Sequence, residues 1–302
     1  MVYLKLLRPV NLLMIVLIQL VVKFGLFDYL NVTTALSPAM FVALMLATVF
    51  IAAGGNVIND IYDVSIDRIN KPKKVLIGTK ISEKAANNLY IALTFIGVSL
   101  GFIVANSIGK PSMAAIFIII AGLLYAYASH IKSILLISNL LISVLVAMVL
   151  LIIIIFDIFP AIQNGLSQPQ LMAAKLVLHY AIFAFYINFI REIVKDLQDI
   201  NGDKNGGRTT LPIAIGRKRT VITVFILGGI ALVILLIYMY TYLYQYPYVN
   251  LYFLLALIAP LLFFEIKTWN AENNKHYALL SILLKIILFL GILSILMYQF
   301  VF

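Results

Sequence analysis

The sequence predicts an all-α integral membrane protein of nine spanning helices, and three observations predict it. The 302 residues are 64% hydrophobic and only 11% charged, about half the charge of an ordinary soluble domain. The apolar residues gather into nine runs, each close to the roughly 20 residues that a helix needs to cross a bilayer. The basic residues fall mostly on alternate connections, as the positive-inside rule demands of a chain that crosses repeatedly.

The runs cover about 10–27, 38–58, 86–107, 112–129, 134–156, 171–190, 219–240, 248–266 and 278–300. The first opens on Arg8-Pro9-Val10-Asn11. Proline suits a first helical turn. Asn11 is polar and lies just inside the apolar run, so it should face protein or a cavity rather than lipid. There it could contact an acceptor substrate or bond to a neighbouring helix. The run is long and lacks a small-residue cleavage site, so no separate signal peptide is expected.

In the second run Gly54-Gly55 should let another helix approach closely. Its helix should continue through Asn59-Asp60-Ile61-Tyr62-Asp63-Val64-Ser65-Ile66-Asp67 and end at Asn70-Lys71-Pro72, because the residue before proline avoids the helical region. Ser82-Glu83 reads as the cap of the third helix. The fourth ends in Tyr125-Ala126-Tyr127-Ala128-Ser129-His130-Ile131-Lys132. The sixth should extend through Asp196-Leu197-Gln198-Asp199-Ile200-Asn201-Gly202-Asp203 and stop near Gly202. Thr210-Leu211-Pro212 and Gly216 lead into the seventh. A single domain over 1–302 is expected. Both acidic clusters follow even-numbered spans, which hints at two related halves.

The formal charge of +10 raises nucleic acid as a partner, but the distribution argues against it. With nine spans, 18 of the 22 Lys and Arg lie on the side of the N-terminus. That side is expected to be cytoplasmic, in the cell membrane, its bases meeting anionic lipid. Lys23, Lys110 and Lys175 fall opposite, and Lys285 lies within the last run. With no cysteine there is neither a disulfide nor a thiolate metal site.

The chemistry is concentrated in the acidic clusters, which hold six of the twelve carboxylates. Steps of three and four residues put Asp60, Asp63 and Asp67 on one helical face, and likewise Asp196, Asp199 and Asp203. Such stripes repel themselves unless a cation intervenes. Mg²⁺ takes oxygen ligands and is commonly held by one or two carboxylates plus substrate phosphates. All six are therefore candidate metal ligands, with Asn59 as a neutral donor beside the first three. Arg68, Arg191, Lys195 and Arg208 are candidates for holding a diphosphate leaving group. Tyr127 and Lys132 could face a developing carbocation, or form an aromatic belt with a snorkelling lysine. His179, His276, Asp28, Asp157 and Glu265 carry no motif.

Asn59-Asp60-x-x-Asp63-x-x-x-Asp67, Asp196-x-x-Asp199-x-x-x-Asp203, Arg8-Pro9, Thr210-Leu211-Pro212 and the nine spans together resemble the UbiA superfamily of intramembrane prenyltransferases. The resemblance covers nearly the whole chain. It implies nine helices around a central cavity that opens laterally to lipid, under a polar cytoplasmic cap. There Mg²⁺ would bridge both Asp motifs to an isoprenyl diphosphate. It implies catalytic roles for Asp63, Asp67, Asp199 and Asp203. It places the family's Tyr/Lys motif on Tyr127 and Lys132, with four residues between them where some members have three. Ile69-Asn70-Lys71-Pro72 and the segment from Arg191 through Pro212 look most like the geranylgeranylglyceryl phosphate geranylgeranyltransferases. Geranylgeranyl diphosphate and a lipophilic glyceryl phosphate would then be the substrates. Prenylation of an aromatic acid such as 4-hydroxybenzoate is the competing activity. An ion-coupled transporter is the competing class, disfavoured because the span centres are nearly uncharged. A CDP-alcohol phosphotransferase would need one compound motif with an Ala-Arg element, which this chain lacks.

Overall fold

The computed structural model describes residues 2–163 and 165–301, with Lys74 described by its backbone alone. Among them nine helices are long and apolar enough to cross a membrane. They are α1 (Pro9–Phe27), α2 (Pro38–Tyr62), α3 (Glu83–Ser107), α4 (Pro111–Ser129), α5 (Ile137–Ala161), α6 (Gln168–Asn205), α7 (Arg217–Leu243), α8 (Pro247–Trp269) and α9 (Asn274–Phe300). Short helices at Val2–Leu7, Val64–Asn70 and Leu211–Ile215 join or precede them.

Local chemistry sets the helix starts. Ser37, Ser82 and Asn273 cap α2, α3 and α9 by accepting from backbone N–H groups, which satisfies donors that have no intrahelical partner. Ser167 and Gln170 form a reciprocal capping box on α6. Pro9 and Pro38 take first-turn positions, as expected. Pro72 ends Val64–Asn70, and α6 runs three residues past Gly202 before stopping at Asn205.

Gly54-Gly55 act as the sequence suggests. A Cβ on Gly54 would press on Thr94 of α3, and one on Gly55 would meet Leu124 of α4 at 3.0 Å. Two helices thus pack closely against adjacent sides of α2, as small residues permit.

Six helices surround a cavity of about 1100 Å³: α1, α2, α4, α5, α6 and α9. Contacts between α1 and α9 close the ring. The helix α3 lies behind α2, and α7 and α8 lie behind α6 and α9; none of the three reaches the cavity. The outer surface shows Phe95, Ile118, Ile182, Ile237 and Leu255, the apolar skin that lipid requires. Inside, the cavity grades along its length. Phe117, Ile152, Tyr180 and Phe183 line one end, and most of the charged residues line the other.

Lys23 lies within the first helix, Pro9–Phe27, as the run over 10–27 implies. It is turned inside and is only 5% exposed. Its Nζ donates to Asp157 at 2.7 Å and to Thr34 at 2.8 Å. Asp157 is fully buried and also accepts from the Leu36 N–H at 2.8 Å. The pair ties α1, α5 and the connection before α2 together at the end of the molecule away from the acidic clusters.

Candidate active site

The first acidic cluster straddles a joint. The α2 helix ends at Tyr62, and Asp63 connects it to Val64–Asn70. The hydrogen-bond ladder survives the joint, since Asp63 N donates to Asn59 O at 3.0 Å and Asp67 N to Asp63 O at 2.8 Å. The four-residue stacking expected of one helix is therefore kept. The second cluster lies wholly on α6. All six aspartates line the one cavity.

The sequence suggested that a metal must relieve the repulsion within each stripe. In the structure, bases relieve most of it. Arg8 pairs with Asp60. Lys132 and Arg208 both pair with Asp63. Lys71 pairs with Asp199 at 2.6 Å, and Arg208 with Asp203 at 3.1 Å. Asp196 accepts from Asn139 at 2.9 Å. Asp67 makes no ion pair among the described residues. Burial pushes the Asp63 carboxyl up, but Lys132 and Arg208 outweigh it and hold the group below the usual carboxylate range. Asp67 moves the other way, raised by burial and then by the charge of Asp63.

Two residues clamp the halves of the site. Asn70 donates to Asp199 O at 2.9 Å and accepts from Gly202 N at 2.8 Å. Gly202 has no side chain, and any Cβ there would collide with the Asn70 amide. Glycine thus lets the first motif's helix lie against the second's. Asn59 accepts from Lys132 at 3.0 Å and donates to Asp63 at 3.0 Å, so it orients both. The Lys132 ammonium stands 5.8 Å from the Tyr127 ring centre. The Tyr/Lys pair inferred at the end of α4 therefore joins the first Asp motif.

Of the residues expected to touch substrate, Asn11, Asn59, Arg191, Lys195 and Arg208 line the cavity. Arg68 does not, and this corrects the sequence reading. It is the exposed neighbour of Asp67, and successive helical residues diverge by about 100°, so facing Asp67 inward turns Arg68 out. Lys71, one turn on, takes the inward place. Arg191 and Lys195 pair with Glu192, at 3.4 and 2.6 Å. The reading of the sequence gave no role to Asn70, Asn139, Glu192 or Lys285. Only Lys285 carried a signal, being a lone lysine in an apolar run.

Among the described residues no three carboxylates converge as a ready chelate, yet the donor set fits a hard cation. Arg8, Lys71, Lys132 and Arg208 pair with four of the six carboxylates, and Lys5, Lys73 and Lys80 line the same cavity. Asp67 and Asp196 keep carboxylate oxygens outside any ion pair among the described residues, and such oxygens are the ligands Mg²⁺ prefers.

A family model, the UbiA prenyltransferase family, matches residues 24–293. The chain belongs to the UbiA prenyltransferase family. It is accordingly a prenyltransferase and an integral membrane protein. It is 30% identical over 302 residues to a digeranylgeranylglyceryl phosphate synthase of Korarchaeum cryptofilum, covering 99% of this chain and 97% of that one. The same-named protein of Sulfolobus acidocaldarius is 32% identical over 198 residues, covering 66% of this chain and 65% of the relative. A solved digeranylgeranylglyceryl phosphate synthase structure superposes at a TM-score of 0.60 with 24% identity, covering 100% of this chain and 98% of that one. A UbiA homolog from Archaeoglobus fulgidus bound to GPP and Mg²⁺ does so at 0.59 with 18% identity, covering 98% and 99%. These likenesses establish the fold of this UbiA family member.

Proposed function

We propose that this UbiA family member transfers a geranylgeranyl group from its diphosphate to geranylgeranylglyceryl phosphate, forming an ether bond. The observation that carries the reading is the meeting of two Asp motifs and their bases at one end of a cavity whose other end is apolar. A match over nearly the full length of a relative named for this activity supports it. The volume of about 1100 Å³ lies just above the usual range for small-molecule sites, consistent with two prenyl chains. The bias of Lys and Arg supports a cytoplasmic orientation for the acidic end.

Asp60, Asp63 and Asp67 with Asp196, Asp199 and Asp203 would hold Mg²⁺, as their carboxylate donor set allows. When bound, the ion supplies neutralisation of the leaving diphosphate. The chain's own residues do the rest. Lys132 and Arg208, already at Asp63, supply N–H donors to the diphosphate oxygens. Asn59 holds Lys132 in place. The apolar wall accommodates the prenyl tail and keeps water from the reacting carbon. The C1–O bond breaks with its electron pair going to the diphosphate. The face of Tyr127 stabilises the allylic cation that results. The acceptor hydroxyl oxygen then attacks C1, and its proton passes to a carboxylate of the acidic layer or to the departed diphosphate.

The test is transfer by purified protein with Mg²⁺ and labelled geranylgeranyl diphosphate. Product with geranylgeranylglyceryl phosphate and none with 4-hydroxybenzoate is the expected result. Product with the aromatic acid alone would refute the acceptor and keep the reaction type.

A further inference from the structure

A group of charges on α6 and α9 lies apart from the ion pairs of the acidic layer. Lys285 projects from α9 and donates to Asn11 of α1 at 2.6 Å. Arg191 and Lys195 of α6 flank Glu192. Arg191 lies near enough to repel both lysines. All five residues line the cavity. Against one carboxylate they set three cations, a formal excess of two positive charges.

Their donors are largely unspent. An ammonium has three N–H donors and a guanidinium five. Lys285 makes one hydrogen bond, to Asn11. Arg191 makes one long bond, at 3.4 Å, and its buried Nε has no partner. Buried donors without partners cost free energy, and an anion between Arg191 and Lys285 would satisfy them. The helical rise sets the depth. Along α6, Arg191 lies about 8 Å deeper than Asp196 and about 18 Å deeper than Asp203.

We propose that Lys285, Arg191 and Asn11 form a cradle for the phosphate monoester of the acceptor lipid, separate from the diphosphate site and independent of metal. This rests on the glyceryl phosphate reading above. A phosphate monoester carries close to two negative charges at neutral pH, matching the excess. In a glyceryl phosphate the nucleophilic hydroxyl sits one carbon from the phosphate-bearing carbon. With the attacking oxygen about 3 Å from C1, the acceptor phosphate and the diphosphate stand on the order of 8 Å apart. That matches the rise from Arg191 to Asp196, the nearest aspartate of the acidic layer along α6. The cradle would thus fix which hydroxyl meets C1. Lys285 and Asn11 act here as substrate-binding residues, not as acids or bases.

The experiment separates this claim from the reaction itself. Binding of geranylgeranylglyceryl phosphate and of geranylgeranylglycerol, its dephosphorylated form, is titrated calorimetrically in detergent with EDTA present. Wild type should bind the phosphorylated lipid more tightly. Lys285→Met should weaken that binding by about 10-fold or more, the scale of one charged hydrogen bond, and leave the unphosphorylated lipid unaffected. Lys285→Arg should recover part of the loss. In turnover with Mg²⁺, Lys285→Met should raise KM for the glyceryl phosphate and not for geranylgeranyl diphosphate. Equal affinity of wild type and Lys285→Met for the phosphorylated lipid would overturn the cradle, as would a rise confined to the diphosphate KM. Wild type that binds the lipid phosphate in EDTA yet prenylates only an aromatic acid would refute the proposed reaction while leaving the cradle standing.

Discussion

Asp157→Ala should be among the most destabilising single changes in this protein, although it lies at the far end from the acidic clusters. Asp157 is fully buried and holds two partners, the Lys23 ammonium at 2.7 Å and the Leu36 N–H at 2.8 Å. Removing it strands a charge that is 5% exposed, with the Thr34 hydroxyl at 2.8 Å and the Phe41 ring at 5.4 Å as company. Breaking a buried pair from one side costs about 3–5 kcal/mol. An orphaned backbone N–H falls within the same loss. At roughly 2–4 °C per kcal/mol for a chain of a few hundred residues, thermal unfolding in detergent should fall by on the order of 10 °C. The double variant Lys23→Met/Asp157→Asn removes both charges and keeps a carbonyl for Leu36. It should recover at least half of that drop, because replacing a buried pair outright is far cheaper than breaking it. Prenyl transfer at low temperature should survive in both. A drop below about 2 °C in Asp157→Ala, or a double variant worse than the single, would refute the reasoning.

Other outcomes are equally specific. Asp63→Ala and Asp199→Ala should each lower prenyl transfer by about 100-fold or more, the scale of removing one electrostatic contact to a transition state. Both variants should still insert and elute as folded protein on size exclusion; near-wild-type rates in either would remove these carboxylates from the mechanism. EDTA should abolish transfer and Mg²⁺ restore it, measured with the labelled diphosphate; turnover that persists in excess EDTA would exclude the metal role. Gly202→Leu should wedge the Asn70 clamp apart and cut transfer at least about 10-fold, since a displacement of about 1 Å can cost a hundredfold in rate. Gly229→Leu, which meets open space, serves as its control and should leave the rate unchanged. Equal rates in the two glycine variants would show that the clamp is dispensable.

Much of the site was legible because helical spacing is arithmetic. Aspartates at steps of three and four share a face whatever surrounds them, so both stripes and their membrane level followed from the chain alone. So did the caps at Ser82 and the close packing at Gly54-Gly55, which depend on local stereochemistry. Arg68 and Lys71 show the limit. Both follow the first motif, and composition does not tell them apart; only the rotation of Val64–Asn70 against α6 sends Arg68 outward and Lys71 onto Asp199. Asn70 read as a helix stop, because its bonds to α6 span 129 and 132 residues of sequence.

The sequence by itself determined that this is a nine-helix membrane protein with two acidic motifs on one side, because apolar length and residue period are local properties. The tertiary structure decided which base meets which acid. It paired Lys132 and Arg208 with Asp63, buried Lys23 against Asp157, and left Lys285 and Arg191 with unspent donors in the cavity. The physical reason is that charges select partners by distance in space, and ring closure between α1 and α9 brings Asn11 and Lys285, 274 residues apart, within 2.6 Å.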